Sequence, residues 1–240
     1  MSAGKYYEKV SELLEEIRNN QADNIEKAAK LFAERVRNDQ IIHMVGSGHS
    51  HMIAEELFVR AGGLANVNSW LDLSLIPTAG ARKTGKLERL EGLAEILWEE
   101  QKVDQDDLLV IISNSGRNSV PVETAMLARD KGIYTIGITS LDHSQTTESR
   151  HPSGKKLYQL VDLVIDTCVP HGDGLLDFRG VQSGPGSTLA GVFIANSILS
   201  ETLSLLNQNG DELPVYGSQN VDGVSNEDLY QRFEDRITYL

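Results

Sequence analysis

The sequence predicts an α/β protein built on a parallel sheet of about five strands, with helices on both faces and further helices ahead of the first strand. Three observations carry this. Short, nearly continuous apolar runs recur, as expected of strands covered on both faces. Stretches of helical periodicity lie between them, and strand-helix alternation means crossover connections and a parallel sheet. The chain has 240 residues, 40% of them hydrophobic, enough for one generous core.

Taken in order, residues 5–37 read as helix. Tyr6, Val10, Leu13, Leu14 and Ile17, then Ile25, Ala28, Ala29, Phe32 and Val36, recur at spacings of three and four. Asn19-Asn20 between the two sets marks either a break or a bend. The run Ile41-Ile42-His43-Met44-Val45 is the first strand. Gly46-Ser47-Gly48-His49-Ser50 ends it, and a stripe of Ile53, Leu57 and Ala61 follows as helix up to Gly62-Gly63. Residues 64–71 are expected as strand, 86–100 as helix and 108–112 as strand. Ser119 can cap the next helix, Pro121 suits its first turn, and Lys131-Gly132 closes it. Residues 134–138 and 163–167 complete the strands, and 188–206 form a last long helix. Residues 72–84 and 141–157 are expected as long loops of mixed charge. The whole reads as one domain: a helical extension over 1–38, an α/β core over 41–206 and a polar tail over 207–240 with a short helix near 226–233.

The formal net charge of −13 argues against a nucleic-acid partner, because affinity for a polyanion rests largely on a basic patch and no dense Lys/Arg run exists. Residues 1–40 are too acidic for a DNA-reading helix pair. No apolar run in the sequence approaches the roughly 18–20 residues of a membrane helix, and the N-terminus lacks the apolar core of a secretion signal. Cys168 is the only cysteine, so no internal disulfide forms. A cytoplasmic protein with no membrane partner is the expectation.

Ligands of open parallel sheets bind beyond the carboxyl ends of the strands, and two unusual loops lie there. In the first, Gly46 and Gly48 let the backbone turn sharply, while Ser47 and Ser50 add hydroxyls. The second repeats the logic with Ser113, Asn114, Ser115, Gly116, Asn118 and Ser119. A helix follows each loop and aims its amides and positive dipole end at the same region. Two such loops can surround a phosphate without a lysine, which suits an acidic protein. A dinucleotide fingerprint needs a small residue where His51 stands, and although Asp72 could serve as its ribose acid, it leaves the second loop unexplained. A phosphate loop of the nucleotidase kind lacks its lysine; Ser183-Gly-Pro-Gly-Ser-Thr188 has only the glycines.

These residues resemble the sugar isomerase (SIS) domain family: the GSGHS loop with its helix, then DDLLVIISNSGRN and SVPVETAMLARDKGIYTIGITS. The similarity runs from about residue 41 to 206, and the leading helices resemble those ahead of this domain in phosphoheptose isomerase and muramic acid phosphate etherase. The resemblance implies a flavodoxin-like three-layer sandwich, a phosphosugar ligand and a homo-oligomer, dimer or tetramer, with sites near subunit interfaces. It carries the phosphate-binding hydroxyls onto Ser50, Ser113 and Ser115. A further hydroxyl usual in the second loop falls on Asn118, beside Ser119. Related isomerases present an arginine where Arg60 stands.

Moving a proton between neighbouring sugar carbons needs a base, and ring opening needs an acid. Glu55 and Glu56, in the second turn of the first-loop helix, are the candidate bases, or else a solvated helix face. His171, in His-Gly-Asp-Gly just past the fifth strand, is the candidate acid, or else part of a plain turn. His49 and His51 form a His-x-His pair without a third ligand at fixed spacing, so no metal is expected, and no cofactor. His49 is instead a candidate ligand contact. The family's catalytic glutamate maps onto no single position. Two functions therefore remain, an isomerase or etherase-like lyase acting on a phosphosugar, and a non-catalytic phosphosugar-binding module or sensor; a dinucleotide-dependent oxidoreductase is weaker.

Overall fold

A computed structural model describes all residues, 1–240. The chain begins with α1 (Ser2–Asn20) and α2 (Ala22–Arg37), broken at Gln21 rather than bent. Five strands follow: β1 (Ile42–Gly46), β2 (Val67–Trp70), β3 (Leu108–Ile112), β4 (Tyr134–Thr139) and β5 (Leu163–Asp166). They pair in parallel in the order β2-β1-β3-β4-β5, the flavodoxin-like arrangement.

Alternation along these strands divides the core. Ile42, Met44, Leu108, Val110, Ile112, Ile136 and Ile138 face one layer, with α2, α3 (His51–Glu56) and α8 (Ser187–Asn209). Val45, Leu109 and Ile111 face the other, with α5 (Leu93–Glu99) and α6 (Ser119–Asp130). Phe32 of α2 and Ile194 and Ile198 of α8 are fully enclosed in the first layer. Burying each such side chain contributes roughly 1.5–3 kcal/mol.

Several elements differ from the sequence reading. The helix expected over 86–100 is two short helices, α4 (Ala81–Leu87) and α5, parted where Gly92 takes a left-handed φ of 81°. Helix α3 stops at Glu56, short of Ala61. The second strand is narrower than 64–71, with Leu64 bridging to Val215 of the tail instead. The loop expected over 141–157 contains α7 (Leu141–Thr146), capped by the Ser140 hydroxyl accepting from the His143 amide at 3.0 Å. An antiparallel hairpin, β6 (Gly174–Phe178) and β7 (Val181–Pro185), stands apart from the main sheet beside α1. The tail carries α9 (Glu227–Phe233), where Phe233 joins Ile41 and Tyr216 in a small core. Helix α8 has the length and mean hydropathy, 1.6, of a membrane-crossing helix, contrary to the reading that no segment approaches one. Its apolarity has another use here, since Ala190, Ile194, Ile198 and Leu206 fill the core.

One buried polar network ties three strands together. His43 on β1 is fully enclosed, and its Nε2 donates to Asp107 Oδ2 at 3.1 Å. Its Nδ1 accepts from Trp70 Nε1 (3.2 Å) and Asn68 Nδ2 (3.0 Å), so the hydrogen sits on Nε2. Asp107 also accepts from the amides of Ile41 and Asp104. Burial raises its carboxyl pKa, but the bonds from His43 and the two amides outweigh burial and hold it below the usual value. A depressed carboxylate stabilises the fold at neutral pH and loses that contribution as pH falls through the depressed value. Asp107→Ala strands His43 and two amides, at ~1.5–3 kcal/mol for each bond to charge. Its unfolding midpoint should fall by at least roughly 5 °C, readable by calorimetry. An unchanged midpoint would show that the network adds nothing.

Candidate functional site

The chain leaves β1 toward the α2/α8 face through α3, and leaves β3 toward the α5 face through α6. A crevice therefore opens between the two loops at the carboxyl edge of the sheet. Gly46 has no room for a side chain, since a Cβ would stand 2.5 Å from the Ser50 carbonyl oxygen. Gly48 and Gly116 hold left-handed φ values of 58° and 57°.

The β3–α6 loop is fixed by its carbonyls. That of Asn114 accepts from the Ser140 amide, that of Ser115 from the Ser144 hydroxyl, that of Gly116 from the Leu157 amide and that of Arg117 from the Arg150 amide. With the carbonyls turned toward β4 and the following segments, the amides of Ser115, Arg117 and Asn118 find no acceptor in the protein. Unsatisfied amides in sequence, at a helix N-terminus, suit an anion.

The predicted hydroxyls divide into two sets. Ser47 donates to Glu88 Oε1 at 2.7 Å and Ser119 to the Arg89 carbonyl at 3.0 Å, so both serve to clamp the segment between α4 and α5 onto the loops. Ser113 accepts from the Gly116 amide at 3.2 Å, which leaves its own hydrogen to donate. Ser50 lines a narrow cleft with His49, Ile53, Ile112, Asn114, Ile138, Thr167, Ser187 and Thr188. Its cavity is about 10 Å³, room for about one water, so it is not a ligand-sized pocket. Asn114 is fixed there by Thr167 Oγ1, which donates to its Oδ1 at 3.2 Å. Asn118 Oδ1 accepts from Arg150 Nη1 at 3.1 Å.

The candidate acid–base groups lie in different surroundings. Glu56 is three-quarters buried; it pairs with Arg60 and accepts from Asn196 Nδ2 of α8 at 3.0 Å. Glu55 is exposed, with only His51 Nε2 at 3.8 Å. His171 is exposed and stacks on His143, their ring centroids 4.7 Å apart. Burial, then the charges of His171 and Arg117, lowers the His143 pKa, and its Nδ1 accepts from the Gly172 amide at 3.3 Å. Asp173 is spent on capping α8, accepting from the Ser187 amide and hydroxyl, each at 2.7 Å. No group of three or more His, Cys, Asp or Glu side chains is placed to hold a metal ion.

Sequence reasoning missed Glu88, His143, Thr167, Thr188 and Asn196. Only Thr188, in a Gly-Pro-Gly-Ser-Thr run opening a helix, carried a visible local signal.

Fold and loops define a flavodoxin-like α/β domain with paired glycine- and serine-rich loops at its strand crossover. The model of the SIS domain matches residues 5–140, more than half of the chain, and the chain belongs to that family. It is 38% identical to a UPF0309 protein of Geobacillus sp. (strain WCH70) over 98% of this chain and 97% of the relative. It is 45% identical to a UPF0309 protein of Halalkalibacterium halodurans over 91% and 90%. Among solved structures it is similar in fold to the phosphoheptose isomerase of Neisseria gonorrhoeae (TM-score 0.56, 15% identity, 85% of this chain and 97% of that one). It is equally similar to the NanR protein of Vibrio vulnificus complexed with ManNAc-6P (TM-score 0.56, 14% identity, 98% and 68%).

Proposed function

We propose that the chain binds the phosphate of a phosphorylated sugar in the β3–α6 loop. The observation that carries this reading is the row of acceptor-free amides at Ser115, Arg117 and Asn118, beside the free hydroxyl hydrogen of Ser113. Ser115 supplies a second hydroxyl and Ser50 a third from across the crevice. Gly46, Gly48 and Gly116 shape the backbone, and His49 and Asn114 line the narrow cleft beside Ser50. Ser47 and Ser119 position the loops, and Asn118 contributes its amide. SIS-domain membership supports a phosphosugar as ligand.

The site acts as a sugar-phosphate isomerase with Glu56 as the base. Arg60 and Asn196 hold the Glu56 carboxylate in one place, whereas Glu55 is mostly in solvent. In an aldose–ketose exchange, Glu56 takes the proton from the carbon beside the carbonyl and returns it to the neighbouring carbon. His171 protonates the ring oxygen during opening. No cofactor or metal enters this scheme. A sensor is the second reading, favoured by one observation: Glu56 is bonded toward α8 and His171 stacked on His143, with no contact between them. A protein with this function works in the cytoplasm, without nucleic acid or membrane.

Assembly as a homo-oligomer completes the proposal. Only Leu13 and Ile17 of α1 are buried, and on α8 Leu189 is exposed and Phe193 only half-buried.

Calorimetry with hexose and pentose phosphates against the parent sugars tests binding. The phosphorylated form should bind far more tightly, and Ser115→Ala should lose ~1.5–3 kcal/mol, roughly ten- to a hundredfold. Equal affinity for sugar and sugar phosphate sinks the assignment. Glu56→Gln should abolish entry of solvent deuterium into a bound phosphosugar while the ligand still binds, because phosphate anchoring does not need the base. If the wild-type protein exchanges no deuterium into any ligand it binds, the sensor reading replaces the enzyme. Light scattering at micromolar concentration should give a mass of at least twice 26.4 kDa, and a monomeric mass refutes the assembly.

A further inference from the structure

Three arginines meet beside the second loop, none of them in an ion pair. Arg117 lies in the loop itself, its Nε buried without a hydrogen-bond partner. Arg150 is held against it: the Arg150 amide donates to the Arg117 carbonyl at 2.8 Å, and Arg150 Nη1 donates to Asn118 Oδ1 at 3.1 Å. Arg89 is brought to the same rim because its carbonyl receives the Ser119 hydroxyl at 3.0 Å. The preceding Glu88 has its carbonyl on the Val120 amide and its carboxylate on Ser47. Burial, then the charges of Arg117 and Arg89, depresses the Arg150 pKa against the opposing pull of Glu88, so Arg150 feels both neighbouring guanidinium groups. Of the other nine arginines, Arg18, Arg35, Arg37, Arg60, Arg232 and Arg236 have carboxylate partners, whereas Arg82, Arg129 and Arg179 also have none but are not gathered at this loop.

Holding like charges together without a paired counter-charge costs free energy, and a protein of net charge −13 has carboxylates to spare for neutralising them. The loop carbonyls fix the backbone of these residues, and among the guanidinium groups only Arg150 has a partner, Asn118 Oδ1. Their fork geometry matches a planar carboxylate or a phosphate. The loop amides already suffice for one phosphate.

We propose that Arg117, Arg150 and Arg89 form a second anion subsite, and that the ligand is a phosphosugar carrying a second acidic oxygen group, a carboxylate or a further phosphate. This rests on the phosphate reading of the β3–α6 loop and adds the substrate class. Asn118 thereby gains a role as the residue that orients Arg150 over the loop.

The test compares three ligands by calorimetry at low and at physiological salt: a hexose 6-phosphate, a hexose 1,6-bisphosphate and a 6-phosphorylated aldonic acid. The wild-type protein should bind one of the two diacidic ligands at least roughly tenfold more tightly than the monophosphate, with the advantage shrinking as salt rises. Which diacid gains identifies the second group. Arg150→Gln and Arg89→Gln should each bring the diacid-to-monophosphate affinity ratio toward one, while Ser115→Ala weakens all three ligands together. Arg89 secures the loop through its carbonyl and not its side chain, so Arg89→Gln keeps the clamp on Ser119 even if Arg150→Gln disturbs Asn118. Equal affinity of the wild type for all three ligands overturns the second subsite and leaves the phosphate reading standing. The second subsite is equally overturned if the arginine variants weaken the monophosphate as much as the diacids, since the arginines then serve the one phosphate. Binding of none of the three overturns both.

Discussion

Everything at the site depends on the divergence of the chain at β1 and β3. These two strands are neighbours, yet the helix after β1 crosses to the α2/α8 face and the helix after β3 to the α5 face. With the helices on opposite faces, nothing fills the space between their N-termini. The strands enforce the divergence. Ile42 and Met44 face one layer while Val45 faces the other, so each face needs its own apolar cover. Gly46 then lets the chain turn at once into α3, where any Cβ would strike the Ser50 carbonyl.

The loops are stiffened by groups that do not themselves reach a ligand. Ser47 and Ser119 look like equals of Ser50 and Ser115 in the sequence, yet their hydroxyls hold Glu88 and Arg89. The segment between α4 and α5 thereby becomes a strap across both loops. Such internal bonding settles the position of the loop amides before any ligand arrives, so less ordering entropy opposes binding. It also explains why the helix expected over 86–100 is interrupted. Residues 88–92 are needed as non-helical backbone against the start of α6, and Gly92 supplies the left-handed turn that restarts the helix.

The strands, the two loops and the N-terminal helices were legible because each rests on local pattern. Buried parallel strands are continuous apolar runs, and phosphate-type loops concentrate glycine and serine between strand and helix. The β6–β7 hairpin was not legible: Gly174, Gly180 and Gly184 interrupt it, and exposed Phe178 and Val181 replace the alternation of a half-buried strand. Within the site, the choice between Glu55 and Glu56 was beyond the sequence. Adjacent residues on a helix point about 100° apart, and only the placement of Asn196 on α8 decides which carboxylate is held. Asn118 stood out as a departure from the expected hydroxyl, but its partner is 32 positions further on and visible only in three dimensions.

The net charge argues against a polyanion without arguing against a small anion, and the reason is range. At physiological salt, charges separated by more than ~8 Å are largely screened. A phosphosugar bound at the proposed site on the β1–β3 edge would respond to its immediate neighbours and not to the sum of −13. Those neighbours are loop amides, two helix N-termini and guanidinium groups free of carboxylate partners. A nucleic acid would have to lie along many residues, most of them acidic or neutral, with no continuous basic track. An overall negative charge therefore disfavours an extended polyanion far more than a ligand small enough to fit inside a single screening length.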